Sequence, residues 1–372
     1  MKHKTLLLTL KVFSATGGIE KVCRVAGKAL YEIHLQGGGQ TKIFSMHDGQ
    51  GDAAVNPYLP QELFTGFGAH KIKFVRRAVA AGIRANTVIL SHINLLKVGW
   101  LIKRMNPRVR LILLAHGIEV WEPLSGIKKR MLAGCDLILP VSQFTKNKIM
   151  SLHGIAAEKC RVLNNCLDPF LPVVIYTGKD KELIGRYGFA AGDRVLLTLT
   201  RLAAGEQYKG YDKVLKAMER LVPQYPNLRY LIAGKYDAAE KERLDGLIAK
   251  MKLQGHVVFA GFVPEAELAA HFNLADMYVM PSSKEGFGIV FIEAMYYGLP
   301  VIAGYRDGSV DALRNGELGL LVDPDSTKDI TTAIKKVLEA PGDFIPDQQL
   351  LETHFSYSRY KKKLREMLEM EL

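Results

Sequence analysis

The chain has 372 residues, 48% hydrophobic and 24% charged, which suits two folded domains and excludes a disordered chain. No uncharged apolar run reaches about 18 residues, so no membrane-spanning helix is expected. The formal net charge of +12 is uneven: residues 1–170 carry 24 Lys and Arg against 10 Asp and Glu, the remainder 26 against 28.

The first residues, Met1 to Leu10, superficially resemble a secretory leader. The apolar part is short, Lys11 follows it, and no small-residue cleavage site precedes the next glycines, so a buried first strand over 5–12 accounts for it better. Gly17-Gly18 then opens a helix over 19–32, and a glycine turn feeding a helix offers free amides to phosphate. The turn is neither a G-x-G-x-x-G fingerprint nor a P-loop, and a plain turn fits equally well. Strands follow at 42–45, 87–91, 110–115 and 137–140, with helices between them, such as 142–153. His116 closes the strand 110–115 and leads into Glu119 and Trp121; Asn94 follows Ser91-His92-Ile93. A lone His at a strand end is often structural. Cys23, Cys135, Cys160 and Cys166 form no C-x-x-C pair, so neither a zinc site nor a disulfide framework is indicated, and a reducing cytoplasm fits.

Basic stretches punctuate this half: His70 to Arg77, which reads as an amphipathic basic helix, Lys103-Arg104 with Arg108 and Arg110, and Lys128-Lys129-Arg130. They form either a solvated face or a contact with an anionic partner. Of such partners the bilayer surface fits better than nucleic acid, for which no motif is present.

Prolines and asparagines at 164–172 mark a linker. The pattern restarts with strands at 194–199, 229–232, 256–260, 277–280 and 300–303 and helices over 211–222, 238–253, 265–274 and 288–297. Near-continuous apolar strands joined by helices indicate parallel sheets covered on both faces. The expected class is therefore α/β, with two Rossmann-like doubly wound domains facing across a cleft and ligands outside the carboxyl ends of the strands. The proposed division is 1–168, 169–355 and a final helix, 356–372.

Arg201 follows the strand 194–199, and Lys209-Gly210 lies eight residues on. Both suit negative charge that develops on the oxygens of a leaving group, which cations and helix ends must neutralise when no metal does so. The one D-x-D, Asp323-Pro324-Asp325, reads as turn chemistry, not as a metal site. The densest signal is Ser282-Ser283-Lys284-Glu285-Gly286-Phe287-Gly288-Ile289-Val290-Phe291-Ile292-Glu293. A glycine loop opens a helix there, with one carboxylate on the loop and another inside the helix.

Glu285-Gly286-Phe287-Gly288 with Glu293 resembles the E-x7-E signature of the retaining GT-B glycosyltransferases of family 4, the group 1 glycosyltransferases. Arg201 with Lys209-Gly210 is similar to the R…K-G pair of that family, His116-Gly117 to its H-G motif, and Gly17-Gly18 to its N-terminal glycine loop. The resemblance covers nearly the whole chain. It implies a retaining, metal-independent transferase, without cofactor, that moves a hexose-type sugar from a UDP- or GDP-sugar to a glycan or lipid-linked acceptor in cell-surface polysaccharide biosynthesis. It implies an N-terminal acceptor-binding domain, a C-terminal donor-binding domain, and a last helix returning to the first domain. His116, Arg201, Lys209 and Glu285 take the reacting groups; Gly17, Gly18, Gly234, Phe287, Gly288, Ile289, Val290 and Glu293 hold the donor, Glu293 through its ribose. The expected location is the cytoplasm, peripheral on the inner face of the membrane. A sugar-nucleotide epimerase of the same architecture and a non-catalytic nucleotide-sugar-binding subunit stay open as alternatives.

Overall fold

The computed structural model describes residues 3–173 and 178–368. The chain divides into two compact units: residues 1–170 with 355–372, and residues 171–354. The last four residues of the expected C-terminal helix, 369–372, lie outside the described residues.

The first unit is built on a six-stranded sheet in the order β3-β2-β1-β4-β5-β6. Its strands are β1 (Lys4–Thr9), β2 (Gln40–Ser45), β3 (Phe64–Gly66), β4 (Thr87–Leu90), β5 (Arg110–Ala115) and β6 (Leu137–Pro140). Every pairing is parallel. Parallel neighbours need crossovers, and these cover both faces with helices, which is why the strands are apolar almost end to end. Helix α1 (Gly18–Gly37) covers one face, burying Leu30 and Ile33 with Leu7, Ile43 and Ile89. Helix α2 (Lys71–Gly82) covers the other, where Phe74 and Ala78 meet Leu6, Leu8 and Phe44. The helix Tyr357–Leu368 packs Tyr360 and Leu364 on the α1 side. The Arg110 guanidinium donates to the carbonyls of Leu368 and Met367, satisfying carbonyls that a helix end leaves without partners.

The second unit repeats the plan in the order β12-β11-β10-β7-β8-β9. Its strands are β7 (Arg194–Leu199), β8 (Leu228–Ala233), β9 (Val257–Gly261), β10 (Met277–Met280), β11 (Val301–Gly304) and β12 (Leu320–Val322). The chain winds outward from β7 through β8 to β9, then crosses back to β10 on the other side of β7. Loops leaving β7 and β10 therefore diverge at the carboxyl edge, the point where doubly wound sheets leave a crevice. In the first sheet the same reversal falls between β1 and β4.

Several elements differ from the sequence expectation at their ends. β1 stops at Thr9, not residue 12, because the amides of Val12, Phe13 and Ser14 turn aside to the Asp48 carboxylate. The helix from Ala238 ends at Lys250, since Lys252 has a left-handed φ of +56°. The helix after Glu285 starts at Ile289, not Gly288, whose φ of +82° is not helical. The stretch 265–274 divides into a 3-10 turn, Glu265–Glu267, and an α-helix, Leu268–Leu274.

Candidate functional site

The site in the second unit is assembled from the two diverging loops. After β7 the chain passes Arg201 and makes the 3-10 segment Ala204–Lys209 before Gly210. After β10 it runs through Pro281 and Ser282 to Glu285. The Ser283 amide donates to the Tyr208 carbonyl at 2.9 Å, joining the two loops. Gly210, at φ +79°, presses against Pro281; a Cβ there would lie 2.4 Å from its carbonyl oxygen.

Across this seam the Lys209 Nζ meets the Glu285 Oε2 at 2.5 Å, with both side chains mostly buried. Burial is the largest influence on Lys209 and opposes its charge. The Glu285 carboxylate and the nearby Tyr208 and Asp307 together outweigh it, holding the Lys209 pKa above its ordinary value. The Lys209 ammonium also lies 5.6 Å from the Tyr208 ring centroid. Arg201 is 70% exposed and pairs with the largely buried Glu206.

A buried residue absent from the sequence reading holds Glu285 in place. Asp307, on the loop after β11, accepts from the Glu285 amide (2.7 Å), the Ser282 hydroxyl (2.7 Å) and the Ser309 amide (2.9 Å). The Gly308 amide returns a bond to the Glu285 carbonyl at 2.7 Å. Burial lifts the Asp307 pKa to about 6 against the bonds from Ser309 and Ser282, and the Glu285 charge pushes the same way. Its only sequence signal is the short Asp-Gly-Ser run, a common turn composition.

Gly288 precedes the helix Ile289–Tyr296, and the Phe291 ring occupies the place of its absent Cβ. The amides of Ile289 and Val290 come before the first intrahelical bond, from the Phe291 amide to the Gly288 carbonyl, and so stand at the positive end of the helix. Phe287 and Glu293 are both buried. Gly234, at φ +138°, is needed by the chain itself: its Cβ would lie 1.8 Å from the Thr200 carbonyl, and its amide donates to the Gly261 carbonyl at 2.7 Å. The D-x-D carboxylates face protein cations. Arg306 spans Asp323 (2.8 Å) and Asp325 (2.5 Å), and Lys213 reaches Asp325 at 2.6 Å. Among the described residues no group of three or more His, Cys, Asp or Glu is arranged to hold a metal ion.

Gly17, Gly18 and His116 belong to the first unit. Gly17 caps α1 with extended backbone and no side-chain bond, and Gly18 is open to solvent. The loop before them is fixed by Asp48, which accepts from the amides of Val12 (2.7 Å), Phe13 (3.2 Å) and Ser14 (2.7 Å) and from the Ser45 hydroxyl. Burial favours its neutral form, but the Ser14 and Ser45 hydroxyls and the amides of Ser14 and Val12 outweigh that and hold its carboxyl below the usual carboxylate range. At the carboxyl end of β5 the His116 Nε2 lies 2.7 Å from the Ser91 carbonyl, its amide donates to Glu119 at 2.6 Å, and its buried Nδ1 has no partner. The Trp121 indole donates to Thr145, and His92 accepts from the Asn94 amide.

Residues 180–361 match the family model described as Glycosyl transferases group 1. The GDP-mannose-dependent alpha-(1-6)-phosphatidylinositol monomannoside mannosyltransferase of Mycolicibacterium smegmatis is 31% identical over 256 residues, 65% of this chain and 64% of that protein. The D-inositol 3-phosphate glycosyltransferase of Rhodococcus jostii is 30% identical over 269 residues, 66% of this chain and 57% of that protein. The match thus spans less than two thirds of each relative's length. Among solved structures, Anabaena Alr3699/HepE in complex with UDP superposes with a TM-score of 0.79 at 19% identity, covering 99% of this chain and 100% of that one. That likeness establishes the fold, two Rossmann-like units of the GT-B type.

Proposed function

We propose, from the premise that residues 180–361 belong to the group 1 glycosyl transferases, that the chain is a retaining, metal-independent hexosyltransferase. It takes a nucleotide-diphosphate sugar, of the UDP or GDP type, and glycosylates a glycan or lipid-linked acceptor in cell-surface polysaccharide biosynthesis. The observation that carries this reading is the Lys209–Glu285 pair at the switch point of the second sheet, next to the amino end of the helix Ile289–Tyr296. When the glycosyl bond breaks, negative charge collects on the pyrophosphate. Lys209, exposed Arg201 and the Ile289 and Val290 amides are pre-placed donors for it, so little reorganisation is needed at the moment of reaction. Glu285, with its backbone anchored by Asp307, takes a hydroxyl of the donor sugar. Glu293 takes the ribose hydroxyls. His116 contacts the sugar, and Gly17-Gly18 with the start of α1 faces the phosphates.

The names of the relatives in Mycolicibacterium and Rhodococcus favour an inositol-bearing or lipid-linked acceptor and place GDP-mannose first among donors to try. The first unit lies against anionic bilayers at the inner membrane face through α2, where Lys71, Lys73, Arg76 and Arg77 are exposed together with Ile72, while Phe74 and Ala78 are buried. No helix among the described residues is long and apolar enough to cross a membrane.

Thermal-shift titration with UDP-, GDP- and ADP-sugars identifies the base, because a ligand that binds the fold raises its melting temperature. Turnover of that donor in excess EDTA then tests the mechanism. Turnover that survives EDTA and falls in Lys209→Ala is expected, and turnover abolished by EDTA would refute the metal-independent reading.

A further inference from the structure

A second basic site lies at the amino-terminal edge of the first sheet, at the strand ends away from Gly17 and His116. Strand alternation sets it up. Lys4 and Leu6 of β1 share a face with Lys42 and Phe44 of β2, and the register pairs Leu6 with Lys42. On α2 and the turn after it, Arg77, Ala81 and Arg84 recur at helical spacing over the same ground. Ala80, Ala81 and Ala85 are too small to fill the gap, and β3 pairs only with residues 43–45, so among the described residues no strand pairs with the start of β2 on that side. The result is a pocket of about 380 Å³ lined by Lys4, Lys42, Arg77 and Arg84, with Gln40 as a further polar wall. None of the four cations has an ion pair or a side-chain hydrogen bond among the described residues. Four like charges around one hollow repel one another, an arrangement that an anion relieves.

We infer that this pocket binds a phosphate monoester. Its volume lies at the small end of ligand pockets, suiting one phosphate with a short polar body and not an extended chain. Two lysines supply point charges and two arginines supply planar forks, a set that matches the three oxygens and the double charge of a monoester better than the single charge of a diester. Arg77 and Ala80 also line a shallower groove of about 970 Å³ over the start of α2, with Lys73, Arg76 and the exposed Ile72. A lipid bearing a terminal phosphate can therefore reach the pocket while the bilayer covers that groove; a free sugar or polyol phosphate has the same headgroup chemistry. Only the lipid source rests on the membrane contact proposed above.

The test has two arms. In the first, vesicles containing phosphatidic acid are compared with phosphatidylglycerol vesicles matched in surface charge. The expected result is about tenfold tighter binding to phosphatidic acid. That margin disappears in Lys42→Gln and Arg84→Gln. Arg76→Gln, on α2 but outside the pocket, weakens both vesicle types and keeps the margin. In the second arm, glycerol 1-phosphate without vesicles raises the melting temperature of wild type and not of Arg84→Gln. A response in that arm alone assigns the pocket to a soluble monoester. Equal binding to both vesicle types with no thermal shift overturns the pocket. If binding still exceeds that to neutral vesicles, the bilayer contact of α2 stands without it. The substituted side chains are exposed, and far-UV circular dichroism checks that each variant is folded.

Discussion

In the first unit the loop leaving β1 is gathered by Asp48, three residues past the end of β2; in the second the loop leaving β10 is gathered by Asp307, three residues past the end of β11. Each aspartate follows the strand next to the one whose loop it holds, and each collects backbone amides and hydroxyls. Their charges behave in opposite ways. Asp48 receives enough bonds to stay ionised below the usual carboxylate range, whereas Asp307, buried beside Glu285, titrates at about 6. One device therefore serves as a fixed anchor in one sheet and as an anchor under electrostatic load in the other. The load is first its own burial, to which the neighbouring carboxylate that Lys209 balances adds.

The largest test of that contrast removes the balancing cation. Lys209→Ala should lower kcat by about 100- to 1,000-fold, as the loss of one pre-placed transition-state donor does, in a steady-state assay of nucleoside diphosphate release. Lys209→Arg should recover part of the loss; full activity in Lys209→Ala would break the proposed division of roles. Next, Asp48→Ala strips the acceptor from three amides and should cost about 3 kcal/mol in urea unfolding, given roughly 1–3 kcal/mol for each buried donor left unpaired. An unchanged midpoint would show that the first loop needs no anchor.

Asp307→Asn probes the loaded anchor through pH. Its carboxyl titrates higher in the fold than in the unfolded chain, so the folded state takes up the proton first. Its contribution to stability therefore grows as pH falls from about 7 through 6 and is complete below the ordinary carboxylate range. Two pKa units correspond to about 2–3 kcal/mol. Asp307→Asn should flatten that part of the stability–pH curve. Asp48 has the reverse sign: its contribution is present above the ordinary range and is lost as pH drops through its lowered value. Superimposable curves for wild type and Asp307→Asn would remove the contrast. The smallest expected effect is Glu293→Gln, which should raise KM for the donor about tenfold with little change in kcat, because a ribose contact is made equally in ground and transition states.

The sequence made the buried strands legible with little error. The expected limits of β5, β6, β7 and β10 coincide with the observed ones, because parallel strands covered on both faces must be apolar throughout. β3 was not legible: it has three residues at a sheet edge, Phe-Thr-Gly, too few to show a period. Lys209 and Glu285 were each visible beside a glycine, but their ion pair was not, since 76 residues separate them and only the crossover to β10 brings them together. Asp48 carried no signal, and Asp307 only that of a common turn composition. A single acid in a loop has no pattern until the distant amides it collects, 34 to 36 residues upstream for Asp48 and, beside the local Ser309 amide, 22 upstream for Asp307, are in place.

The helix Tyr357–Leu368 has a consequence for the order of synthesis. Because it seals the α1 side of the first sheet, that unit is complete only after every residue of the second has been translated. Domains commonly mature in the order the ribosome delivers them. Here the earlier-made unit must wait without Tyr360 and Leu364 while its successor closes first, and a nascent chain stalled before residue 357 should recruit chaperones through the apolar surface those residues complete.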